Sequence, residues 1–258
     1  MKNTFKFAST IALTVSLLTS CTKKEDQPAP VSTPQTQKVS LNFSHVAGDK
    51  TVNFADVFTS TKGAKFTLSM FRYYVSNVRF VKADNTEQTV PGTYFLVSPN
   101  NPVCDLGQVP VGDYKGVKFA VGVDSVTNHA DITKYPASNP LAVQSPGIHW
   151  SWNSGYIFVM VEGTVDTTAG NIDVLTFGQY SKGMFFHLGT DKLYKKVELL
   201  QPISVKKEGE KTVSIKTDIN TLFANIDLKT QNATHTFSNN SIATLAGANI
   251  PSMFSIAQ

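Results

Sequence analysis

The sequence predicts a mainly β domain, an antiparallel β-sandwich or barrel-like fold with one or two short helices near the C-terminus. Three observations carry this. Apolar segments rich in aromatic and β-branched residues recur from residue 39 to residue 219, with Gly, Asn and Asp between them. Helical periodicity is confined to two short stretches behind residue 217. No linker, charge run or repeat divides the chain after residue 38, so 39–258 reads as one domain of 220 residues, long enough to bury a sizeable core.

The first element stands outside that domain. Residues 1–21, MKNTFKFASTIALTVSLLTSC, carry Lys2 and Lys6 ahead of an apolar run from Ala8 to Leu18. The run is too short for a bilayer span, which needs about 20 apolar residues, but it suits a signal-peptide core. It ends in Leu18-Thr19-Ser20-Cys21, which resembles the lipobox of bacterial lipoproteins, where the cysteine is lipidated and becomes the first mature residue. Residues 22–38, TKKEDQPAPVSTPQTQK, are polar and Pro-rich and read as a flexible tether. A protein of the cell envelope is expected, lipid-anchored at the outer membrane through Cys21. The Lys-Lys-Glu-Asp run resembles surface-export signals of some lipoproteins, and periplasmic retention stays open.

Strands follow in order. VSLNFSHV (39–46) alternates, with Val39, Leu41, Phe43 and His45 on one face. KFTLSMFRYYVSNVRFV (65–81) is the longest candidate, and GVKFAVGVD (116–124) alternates again with Val117, Phe119, Val121 and Val123 together. GYIFVMVEG (155–163), DVLTFGQY (173–180), GMFFHLG (183–189), KKVELLQPISV (195–205) and KTVSIKTDI (211–219) continue the pattern. DINTLFANIDL (218–228) begins with an Asp cap and spaces Ile219, Leu222, Phe223 and Ile226 helically, and NNSIATLAGAN (239–249) is the second helix candidate.

Chemistry is sparse. The formal net charge of +4 falls to +2 (4 minus 2) once the two signal-peptide lysines are removed. No basic patch with interleaved aromatics supports nucleic-acid binding. With Cys21 acylated, Cys104 has no partner and reads as a small buried apolar residue. The five histidines, His45, His129, His149, His187 and His235, show no zinc-finger or HExxH spacing, so any metal site must be assembled from distant strands. There is no GxSxG, no CxxCH and no phosphate-binding Gly loop. Both tryptophans sit in HWSWNSGY, where Trp150 and Trp152 share a face and His149 points the other way. On pattern alone the two indoles are either strand packing or the wall of a site.

Several segments, taken in order, resemble the MbnP-like copper-binding family. They are LNFSHVAGDK (41–50), KFTLSMFRYYVSNVRFVKADNTE (65–87), GTYFLVS (92–98), VPVGDYKGVKFAVGVDSVTN (109–128), HWSWNSGYIFVMVEG (149–163), FFHLG (185–189), TDINTLF (217–223) and ANIPSMFSI (248–256). The resemblance implies a β-rich exported copper binder that is not itself an enzyme. It implies copper held by His45 and His187, beside a tryptophan of the WxWN motif, Trp150 or Trp152, oxidised to kynurenine by a di-haem peroxidase-like partner. His149 is a local variation or an additional ligand. His129 and His235 lack motif support and are expected on the surface. Two other readings stay open: a surface binding or adhesion module using exposed aromatics without metal, and redox catalysis at copper.

Overall fold

The alternation of Val39, Leu41, Phe43 and His45 builds the middle strand of the smaller of two sheets. The computed structural model describes residues 34–92, 94–150, 155–168 and 181–257. The signal peptide with Cys21, most of the tether, Trp152 and the strand expected over 173–180 lie outside them.

In chain order the first strands are β1 (Thr36–Ala47), β2 (Lys50–Thr51), β3 (Val57–Thr59), β4 (Lys65–Lys82), β5 (Glu87–Thr89), β6 (Tyr94–Val97), β7 (Val103–Pro110) and β8 (Gly112–Val121). A short helix, α1 (Ser125–Asn128), follows. Then come β9 (Ile157–Asp166), β10 (Ser181–Gly189), β11 (Lys195–Leu199), β12 (Ile203–Val205) and β13 (Lys211–Asp218). The chain closes with α2 (Ile219–Leu222), β14 (Ala233–Thr234), α3 (Asn240–Asn249) and β15 (Phe254–Ile256). The smaller sheet has the order β15-β13-β1-β2, with β7 also on β1. The larger runs β11-β8-β4-β9-β10-β14, with β12 on β8 and with β3, β5 and β6 on β4.

The expected mainly β domain with short C-terminal helices is therefore what forms. Two details differ from expectation. The sheets are mixed, because β1 pairs in parallel with β13 and β10 with β14. The folded region also starts earlier than residue 39, since Thr36 already pairs with Pro110. The segment 195–205 splits into β11 and β12 around Pro202, whose missing N–H cannot serve a ladder. Asp218 caps α2 by accepting from the Asn220 amide, as its position predicts.

The inward row of β1 meets the larger sheet through aromatics. Phe43 packs edge-on against Tyr73, Phe119 and Phe254 at ring-centroid distances of 6.0, 5.8 and 6.2 Å. Burying such a ring stabilises by about 1.5–3 kcal/mol, and each edge-to-face pair adds about 0.5–1.5. Cys104 is fully buried as a free thiol, and burial pushes its pKa up.

Strand β4 is buried on both faces between Phe71 and Ser76. Phe71, Tyr73 and Val75 point between the sheets. Arg72, Tyr74 and Ser76 point the other way, under the long connection from β8 to β9. That connection is fastened from below: Tyr74 Oη donates to the Pro140 carbonyl at 3.0 Å, Tyr156 Oη to Leu141 at 2.6 Å, and Arg72 Nη2 to Pro146 and Gly147.

Glycine is required where β9 crosses β4. A Cβ on Gly163 would lie 1.9 Å from the Thr67 carbonyl oxygen, a backbone atom that cannot swing aside. Gly163→Ala is expected to cost about 3 kcal/mol, read as a lower urea midpoint at unchanged slope.

Candidate functional site

His45 is only 4% exposed, and its partners lie within the inter-sheet core. Its Nε2 shares a hydrogen bond with Tyr73 Oη at 3.1 Å, and that hydroxyl meets Thr217 Oγ1 at 3.0 Å. The ring packs edge-on against Phe71 at 5.4 Å. This is a satisfied core histidine.

His187 lies on the opposite face of the larger sheet. It is in register with Met160 of β9, which is in register with Arg72 of β4. Arg72 falls between Phe71 and Tyr73, so side-chain alternation sends it away from His45. The structure does not bring His45 and His187 together, and the expected two-histidine set is not assembled.

What His187 meets instead is His235, with the two Nδ1 atoms 2.9 Å apart. His235 is half-buried, not a free surface residue. Its ring stacks on Phe185 at 4.5 Å and 28°. Strand β14 delivers it by pairing Ala233 and Thr234 with Phe185 and Phe186. Thr236 then locks the turn, donating from Oγ1 to the His187 carbonyl at 2.7 Å and accepting from the Gly189 amide at 3.1 Å. Nothing local in NATHTF announces this parallel pairing across 48 residues.

On its far side, His187 Nε2 lies 2.8 Å from Glu162 Oε1. An ionised carboxylate only accepts, so Nε2 carries the proton. Burial lowers the His187 pKa, partly opposed by Glu162 and reinforced by His235 and Arg72, so the ring is neutral. His187 Nδ1 is then a lone-pair nitrogen, and His235 Nδ1–H donates to it. A carboxylate holding a histidine in one tautomer is the outer partner that metal-ligating imidazoles use.

The pair opens on a cavity of about 600 Å³ whose walls include Trp150, Met160, Glu162 and Phe237. Trp150 is 5% exposed and meets Phe237 edge-on at 5.2 Å. Its ring passes over Gly189, where a Cβ would approach it to 2.6 Å. The Met160 thioether lies 3.6 Å from Arg72 Nη2. His149 is turned away, as strand phase predicts: it bridges to Tyr156, packs edge-on against that ring at 4.9 Å, and its Nε2 accepts from the Gly155 amide. His129 is exposed and pairs with Asp191 at 3.2 Å.

A metal can be tested against these residues. Two imidazoles and a thioether are borderline-to-soft donors that suit Cu(I), while the nearby guanidinium disfavours hard dications and the Glu162 carboxylate in the wall is engaged by His187 Nε2. Among the described residues no group of three or more His, Cys, Asp and Glu converges on a metal position. The donors that fit are therefore His187 and His235, with Met160 beside them.

The MbnP family model matches residues 36–240, beginning at the first residue of β1. The chain belongs to the MbnP family. Among solved structures, MbnP from Methylosinus trichosporium has the same fold, with a TM-score of 0.55 over 86% of this chain and 98% of that chain at 18% identity. No curated protein matches the sequence. The MbnP match takes in β1, the HWSWNSGY segment, β10 and His235, whereas the resembling tail at 248–256 lies beyond it.

Burial pushes the His45 pKa down to about 4 from 6.5. Between those values the unfolded chain binds a proton that the folded chain refuses. The stability is present above pH 6.5 and lost as pH falls toward 4, a difference of about 3 kcal/mol. Urea midpoints measured across this window should fall for the natural sequence and fall less steeply for His45→Gln.

Proposed function

We propose that this MbnP-family chain is an exported copper-binding protein that captures or buffers copper in the cell envelope, tethered to the membrane through an acylated Cys21, and that it is not an enzyme. The observation that carries the copper reading is the His187–His235 pair, held in one tautomer by Glu162 and opening on the cavity walled by Trp150 and Met160. His235 takes the place that sequence reasoning gave to His45. When bound, Cu(I) would supply a soft electrophilic centre to the His187 Nδ1 lone pair, in place of the His235 N–H that it accepts, and to the lone pair of His235.

The chain's own residues prepare that site. Glu162 fixes the His187 proton on Nε2, Thr236 holds the turn that presents His235, and Arg72 anchors the loop leading to Trp150. Trp150, sharing the cavity, is the indole we assign for oxidation to kynurenine by a di-haem peroxidase-like partner, which would add an aromatic amine beside the two imidazoles. Trp152 remains a second candidate by motif.

Competition with a chromogenic Cu(I) chelator tests the assignment. His187→Ala and His235→Ala should each abolish tight binding, and Glu162→Gln should weaken it about tenfold or more. His45→Gln should leave it unchanged. Loss of binding in His45→Gln alone would return the site to the inter-sheet core. Separately, Cys21→Ser should move the protein from the membrane fraction to the soluble envelope fraction, as read by fractionation and intact mass.

A further inference from the structure

Trp150 and Phe237 wall a second cavity, of about 930 Å³, that the copper reading does not use. One side of it is a stripe along α3, Asn240, Thr244 and Ala248, which recur at intervals of four and so share one helix face. The opposing side is the turn before β11, with Lys192 and Leu193, and the first residue of that strand, Lys195. The volume falls within the range of about 300–1,000 Å³ that small-molecule sites occupy. The walls are held in place: Asn249 Nδ2 at the end of α3 donates to the Leu222 carbonyl at 3.1 Å, and Leu193 is buried.

The polar groups are unevenly committed. The Asp191 carboxylate accepts from Ser125, Asn128 and His129; burial raises its pKa, but those hydrogen bonds outweigh it and keep the group below the usual carboxylate range. It stays ionised with its oxygens occupied. Lys195 Nζ donates to the Lys192 carbonyl at 3.1 Å, leaving two of its three donors. Among the described residues, neither lysine has a carboxylate within ion-pair distance. The cavity thus has apolar walls from Trp150 and Phe237, two ammonium groups at one side, and on α3 a Thr244 hydroxyl that donates to the Asn240 carboxamide at 3.1 Å.

We propose that this cavity binds a small organic anion with a flat, aromatic or conjugated body, its body against Trp150 and Phe237 and its carboxylate at Lys192 and Lys195. The site is independent of copper. Only the shared indole and phenyl walls connect it to the histidine pair.

Titration calorimetry of the mature protein with 1-naphthoate, and with 1-naphthylmethanol as the uncharged analogue, tests the proposal. Naphthoate should bind saturably at one equivalent. Naphthylmethanol, and naphthoate with the double variant Lys192→Glu/Lys195→Glu, should each bind roughly tenfold more weakly, the scale of two partly screened charge contacts. Thr244→Trp, on an exposed position of α3, should abolish binding while melting temperature and Cu(I) binding are unchanged. Ala248→Trp blocks the cavity from the next turn, so that one poorly folding variant does not decide the matter. Absence of saturable heat with naphthoate, or equal binding by the charge-reversed and blocked variants, would overturn the assignment.

Discussion

Side-chain alternation along β4, under burial of both its faces, is the constraint on which the rest of the molecule depends. Phe71, Tyr73 and Val75 close the inter-sheet core with Phe43 and His45. Arg72, Tyr74 and Ser76 hold down the connection that carries Trp150. A strand of period two cannot place neighbouring residues on one side. His45 and His187 are therefore sorted to opposite sides of one sheet, and the candidate site lies on the side where the connection runs.

Three short motifs, scattered over forty residues, become intelligible once that side is built. The indole of Trp150 needs the bare Cα of Gly189 beneath it. The Glu162 carboxylate orients His187 across the β9–β10 ladder, while Gly163, its neighbour, lets β9 approach the Thr67 carbonyl. Trp150, EG and HLG are thus one constellation written in three places: an aromatic wall, a proton-fixing acid and an imidazole, packed around two glycines, Gly163 and Gly189.

Much of the fold was legible because it rests on local alternation. Val39 to His45, and Val117 to Val123, fall on the buried face as their spacing predicts, and Asp218 caps its helix. The strand partners were less legible, because the parallel pairs β1–β13 and β10–β14 join segments far apart in sequence, and alternation says which face is buried but not what lies opposite. The site was half legible. His187 and Trp150 stood in motifs, and strand phase correctly detached His149. What His45 meets was not legible, because an imidazole in phase with apolar neighbours looks the same whether Tyr73 or a metal awaits it. The meeting of His235 with His187 was not legible, because β14 is two residues long and shows no periodicity.

That two-residue strand has a wider implication. His187 is embedded in the most extensively paired part of the larger sheet, yet its companion imidazole comes from a loop held by two ladder positions and the hydroxyl of Thr236. On the proposed copper reading, altering that loop would change the ligand set without touching the core, so that scaffold and affinity could diverge separately. Replacing residues 233–236 would then alter what this chain coordinates while every other strand pair stays in register.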